Sequence, residues 1–178
     1  MRSLLRVAVI AVLIVIVAPL ATTKPAHASA AAHGVVQGHG GVQLVIDSVT
    51  PQYARSDSTV TVSGTITNGT AATQAGLAIQ LYSSPTWFTT RSDMESFADG
   101  AASVPLSAVG NTDVLAASIR AGGTISWRAK FSAADVGMSQ FGVYPLEAQL
   151  TDLAGVPASS ERTLLPYLPD NTSAISKL

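Results

Sequence analysis

The sequence predicts an all-β fold: a seven-stranded immunoglobulin-like or fibronectin-type β-sandwich with one short inserted helix, about residues 92–99. Three observations carry this reading. From Val42 onward, apolar residues recur with a period of two along short runs rich in Val, Ile and Thr. Clusters of Gly, Pro, Asn and Asp separate those runs at the rhythm of a sandwich. One stretch, after Pro85, gives up the period of two for a helical one.

Val42–Thr50 is β-rich and stops at Pro51. Thr59–Asn68 shows the clearest alternation, with Val60, Val62 and Ile66 on one face and threonines and serine on the other. Asn68-Gly69-Thr70 then marks a turn. Leu77, Ile79 and Leu81 alternate with Ala78, Gln80 and Tyr82 in a third strand. Beyond Pro85, Ser92-Asp93-Met94-Glu95 has capping-box spacing. Met94, Phe97 and Ala98 form an apolar stripe, and Gly100 closes the helix. Residues 101–112 read as loop. Val114–Ile119 and Thr124–Phe131 flank Arg120-Ala121-Gly122-Gly123, which reads as a hairpin turn. In the second of these strands Ile125, Trp127, Ala129 and Phe131 face inward, and Ser126, Arg128 and Lys130 face water. Ser132-Ala133-Ala134-Asp135 opens a single helical turn, and Val143–Asp152 and Pro157–Leu165 complete the strands. The predicted core is Val60, Val62, Ile66, Leu77, Ile79, Leu81, Ile125, Trp127, Phe131, Leu146 and Leu150.

The flanks differ in kind. Arg2 and Arg6 precede an apolar run of 14 residues, Val7–Leu20, and two A-x-A patterns follow at Ala26–Ala28 and Ala28–Ala30. That order is a secretory signal peptide over residues 1–30, its apolar run too short for the roughly 20 residues of a membrane span. Residues 31–41 are small and Gly-rich and read as a flexible leader, residues 42–168 as the sandwich, and residues 169–178 as a disordered tail. The expected location is therefore extracytoplasmic, with no membrane span after signal cleavage. Cleavage removes three of ten Lys/Arg and no acidic residue, leaving seven against eleven and a net charge of −4. Such a chain lacks the basic footprint of a nucleic-acid binder. It has no cysteine, which excludes thiolate catalysis and Cys-ligated metals, and a domain of this length buries a core without disulfides.

The residues do not assemble a catalytic constellation, and no cofactor or metal is expected. His27, His33 and His39 all fall in the signal or the leader, so no His-dependent triad lies within the folded domain. Asp93, Glu95 and Asp99 are the closest acidic group, and their helical spacing suits the helix dipole better than a paired-carboxylate hydrolase. No D-x-D-x-D run offers a calcium loop. Asn68-Gly69-Thr70 and Asn171-Thr172-Ser173 match the glycosylation acceptor pattern. Tyr82, Trp87 and Phe88, around Pro85, are the densest aromatic group and the candidate partner-binding residues. Two readings of that group stand: an exposed contact patch, or rings folded back over the edge of the sandwich.

Four segments together resemble a known family. They are Val42–Pro51, Val60–Asn68, Phe141-Gly142-Val143-Tyr144-Pro145-Leu146 and Leu165-Pro166-Tyr167-Leu168-Pro169-Asp170, the last two being the more specific. The chain resembles the N-terminal Ig-like region of large exported actinobacterial proteins of unknown function, encoded beside the lipid II flippase of cell-wall synthesis. The absence of site chemistry and the linker-like exit at Leu165–Asp170 favour a non-catalytic exported module that binds a partner or spaces another domain in the cell envelope. A cell-envelope protein is the expected partner, favoured over a glycan because only one aromatic cluster is available for stacking. The alternative is an accessory domain of a carbohydrate- or peptidoglycan-acting enzyme, or a fragment of a larger membrane-anchored protein.

Overall fold

The computed structural model describes residues 37–38 and 41–170; the predicted signal peptide, most of the leader with its histidines, and residues 171–178 lie outside the described residues. The described strands are β1 (Gln37–Gly38), β2 (Val42–Thr50), β3 (Thr59–Asn68), β4 (Ala78–Ser83), β5 (Ser107–Val114), β6 (Thr124–Ser132), β7 (Gly142–Thr151) and β8 (Pro157–Tyr167). Two short helices, α1 (Arg91–Ala98) and α2 (Ala133–Val136), interrupt them. The strands form two antiparallel sheets, one ordered β1-β8-β7-β4-β5 and one β2-β3-β6. Both sheets feed one hydrophobic core. Val42, Leu44, Val60, Val62, Ile66, Trp127 and Phe131 come from the smaller sheet, and Ile79, Leu81, Tyr144, Leu146, Leu150 and Leu165 from the larger.

The predicted core residues are buried, with one adjustment: Ile125 lies only partly buried at the margin. Alternation along β6 is as expected, with Trp127, Ala129 and Phe131 inside and Ser126, Arg128 and Lys130 exposed. On β2 the alternation breaks. Val42, Leu44 and Ile46 point inward, Asp47 is the extra residue of a bulge between Ile46 and Ser48, and Val49 then takes the inward phase. Opposite the bulge stands Gly64, where an added Cβ would lie 1.8 Å from the Val45 carbonyl oxygen and 2.8 Å from Trp127 Nε1. Because the backbone comes this close, Val45 can accept the indole N–H of Trp127 at 3.2 Å.

Two features correct the sequence reading. The expected strand Val114–Ile119 and its hairpin with the next strand do not form. The strand is instead Ser107–Val114, most of it within the stretch 101–112 read as loop, and it pairs with β4, while β6 belongs to the other sheet and pairs with β3. The edge strand β5 has little to bury, only Val109 being buried along it, so its sequence carries no apolar alternation. It is irregular opposite Gln80, whose amide donates to Val109 O at 3.0 Å and Leu81 O at 2.9 Å. The apolar run beyond it serves the core through Ile119, buried and bridged to Gln74, with Leu115 packed partly buried against the core. The Gly-rich turn after it ties to β3, with Gly122 N–H donating to Asn68 O at 2.8 Å and Asn68 N–H to Gly123 O at 2.9 Å.

The second correction concerns α1. Its cap is Thr90, whose hydroxyl accepts the Asp93 N–H at 3.1 Å, so the Ser92–Glu95 capping box is not used; Glu95 pairs with Arg91 instead. Likewise Asn68, the first candidate acceptor for glycosylation, is fully buried. Its amide donates to Ala72 O and Ile119 O and accepts from the backbone and hydroxyl of Thr70. The turn signal at this position marks a staple between loops.

Candidate functional site

The crossover from β4 to β5 builds the most distinctive surface. At the end of β4, the Ser83 hydroxyl donates to Pro145 O at 2.8 Å, fixing the last residue of the strand to β7. Pro85 cannot continue the ladder, and the chain turns there, the Ser84 hydroxyl accepting the Thr86 N–H at 3.2 Å. It returns at Phe88, whose N–H donates to Val143 O at 2.9 Å. The segment then runs as α1 over the outer face of the larger sheet. Phe97 anchors it, fully buried, with the Phe88 ring at 5.4 Å and the Arg162 guanidinium at 5.0 Å. Arg162 is held in turn by Glu147 at 2.8 Å and by Ala102 O at 2.9 Å. A partly buried arginine bonded to two separate acceptors and stacked over an aromatic face is a firm support for a loop.

Trp87 stands where this crossover meets β7. It is 37 % exposed and rests on Gly142, where an added Cβ would come within 2.8 Å of its ring. Its centroid lies 6.4 Å from that of Tyr144. Trp87 and Phe88, with Val104, Pro105 and Pro145, line a cavity of about 310 Å³ whose polar edge is Ser84 and Thr86. A volume near the lower bound for ligand sites, with few polar groups, suits an apolar side chain or ring.

Of the three residues singled out by the sequence, Trp87 and Phe88 are brought together at this cavity. They differ in role: Phe88 is packed against Phe97, whereas Trp87 keeps a solvent-facing part. Tyr82 is set apart, half-buried on β4 in register with Glu147 and Ala108 and absent from the cavity wall. Two further exposed aromatics went unnoticed, Phe141 at 65 % and Tyr53 at 50 %. Both belong to the same end of the domain. Tyr53 precedes Ala54, which bridges Tyr167; Tyr167 pairs with Gly142, the neighbour of Phe141; and Phe88 bridges Val143. Successive strands stand about 4.8 Å apart, so the backbones at Tyr53, Phe141 and Trp87 fall within roughly 15 Å at this end of the domain. The signal for Phe141 was its position before a glycine that opens a strand, and for Tyr53 its place in a turn between strands.

The acidic residues are otherwise engaged. Asp93 sits in the first turn of α1 and Glu95 pairs with Arg91. Among the described residues, no group of three or more His, Asp or Glu side chains is placed to hold a metal ion. Among them, too, no helix is long and apolar enough to cross a membrane.

These features define a mostly β protein of two antiparallel sheets with a helix-bearing crossover laid over the larger one. The chain belongs to a family of unknown function, DUF6049, whose model matches residues 1–175. No curated protein matches it. Among solved structures, it is similar to the sporulation control protein Spo0M of Bacillus subtilis, at 12% identity over 72% of this chain and 50% of that one, with a TM-score of 0.44. It is also similar to the alkylpurine DNA glycosylase AlkC of Pseudomonas fluorescens, at 14% identity over 71% of this chain and 30% of that one, with a TM-score of 0.43. A β-glucosidase from Listeria innocua gives 11% identity over 71% of this chain and 16% of that one, also with a TM-score of 0.43. The chain thus spans half or less of each of these proteins, and at these TM-scores the likenesses carry no argument about function.

Proposed function

We propose that this chain is a non-catalytic, exported Ig-like module of the cell envelope that binds a partner through its aromatic end. The observation that carries the proposal is Trp87, partly exposed at the mouth of an apolar cavity and held by a crossover anchored beneath it. Phe141 and Tyr53 extend the same rim. Aromatic side chains presented by loops on a rigid scaffold are the usual hot spots of protein recognition, and a protein of the envelope is the partner proposed.

The Ig-like part of the proposal is supported by strand order. Counting the seven longer strands, β2-β3-β6 against β5-β4-β7-β8 gives first-second-fifth against fourth-third-sixth-seventh, the order of fibronectin type III modules. Tyr144, near the start of β7, donates its hydroxyl to Gln140 O at 2.9 Å and accepts the Gln140 N–H at 3.2 Å. A tyrosine bonded back to the backbone just upstream is the corner found in such sandwiches. The envelope and actinobacterial setting, and the neighbouring flippase gene, rest on the sequence resemblance through Phe141–Leu146 and Leu165–Asp170.

Two experiments test the proposal. N-terminal sequencing of the secreted protein is expected to start at Ser29 or Ala31; a retained Met1 would overturn export with cleavage. Trp87→Ser is expected to weaken binding to envelope fractions about 30-fold, the loss of a hot spot of about 2 kcal/mol, with an unchanged melting temperature. Unchanged binding would remove Trp87 from the site, and a melting drop of roughly 10 °C would assign the ring to the fold.

A further inference from the structure

The two sheets meet along a seam where the free edge of β2 faces β8, and no strand ladder joins them there. Side chains of β8 take the place of one. The Ser159 hydroxyl accepts the Leu44 N–H at 3.2 Å, and two residues on, the Glu161 carboxylate bonds the backbone of Ile46. Glu161 is 3% exposed, and its Oε2 is the one buried side-chain polar atom among the described residues without a hydrogen-bond partner.

We propose that this seam is a proton-operated latch in which protonated Glu161 holds β2 against β8 and ionised Glu161 loosens it. The inference is independent of the binding site proposed above. Its basis is geometric: a carboxyl group with one oxygen bonded to a backbone edge and the other orphaned in the interior is favoured there in its uncharged form. The charged group facing it is Asp47, carried on the β2 bulge. Among the described residues, nothing compensates from the other elements packed around β8. On β7, Ala148 stands opposite, and the pleat turns Glu147 to the outer face, where it is occupied by Arg162. The charges of α1 lie on that outer face as well, and the β1 residues Gln37 and Gly38 carry none.

Burial raises the Glu161 carboxyl from 4.5 to about 7, with the Asp47 charge adding to the rise and the Ile46 bond opposing it. The folded seam therefore binds a proton that the opened chain releases. Its contribution is fully present below pH 4.5 and is lost as the pH rises through 7. A single proton of this kind makes opening more favourable by up to about tenfold per pH unit across that window.

Native-state amide exchange at Leu44 and Ile46, corrected for intrinsic rates, reads the latch directly. In the native sequence the opening constant at these amides is expected to rise at least about tenfold between pH 5 and pH 8. Glu161→Gln should flatten that profile, and Asp47→Asn, at an exposed position, should bring it to its plateau at lower pH with a smaller total rise, because the Asp47 charge adds to the upward shift of Glu161. A flat profile in the native sequence, or an undiminished one in Glu161→Gln, overturns the proposal. Should Glu161→Gln not fold, an Asp47→Asn profile superimposable on the native one overturns it equally.

Discussion

Trp127→Ala is expected to destabilise the domain by about 3–5 kcal/mol, the range for truncating a buried aromatic in a well-packed core. The indole is 4% exposed and lies between the sheets in the shared core. Its removal leaves a cavity and also takes from Val45 O the indole N–H that it accepts across the smaller sheet. The loss therefore combines missing packing with a lost side-chain-to-backbone hydrogen bond beside the β2 bulge. Urea unfolding should show a lower midpoint with an unchanged slope, and a melting temperature lower by roughly 10–20 °C. A change below about 1 kcal/mol would mean that Trp127 does not support the core.

Gly64→Ala is expected to cost about 3 kcal/mol, at the upper end for inserting a single carbon into a packed interior. Ordinary strand glycines gain stability when replaced by alanine, since the unfolded chain loses freedom. Here the sign reverses because the new methyl would sit 1.8 Å from Val45 O, a backbone atom that cannot swing away. Relief requires β2 and β3 to separate at the bulge, which also pulls Val45 from the Trp127 indole. Both substitutions strike one contact, so the double variant should be less destabilised than the sum of the two. Full additivity in equilibrium unfolding would show that Gly64 and Trp127 are not coupled through Val45.

The strands with one buried face were legible because their side chains must alternate, as along Thr59–Asn68 and Thr124–Ser132. β5 was not, because an edge strand with a single buried residue has no need of alternation, and its pairing is specified by Gln80 on the neighbouring strand. The false hairpin at Arg120–Gly123 had the right turn chemistry but the wrong partner: local glycines specify a reversal, and the strand that receives it is chosen by long-range packing. The same division holds at the candidate site. Trp87 and Phe88 were conspicuous as neighbours in sequence, whereas Tyr53 and Phe141 join them only through the register of β8 with β7 and the bridge at Ala54. Glu161 was invisible for a related reason, since the edge that it caps belongs to a strand more than a hundred residues earlier, at Ile46.

The pairings at the centre of each sheet have a kinetic consequence. Val60 lies opposite Phe131 and Ile79 opposite Leu150, each pair about 70 residues apart along the chain. Neither sheet can close until loops of that length have been brought together, and little is gained before they are. Domains dominated by such distant pairings fold in roughly milliseconds to seconds, far slower than helical bundles of similar size. For a chain that leaves the cytoplasm, as proposed here, slow closure is an asset. Under that proposal, β6 and β7 must emerge before β3 and β4, which have β2 and β5 as local partners, gain their second ones, and both sheets would stay open during export. The order of strands in the sheets thereby ties closure of the domain to the arrival of its last third.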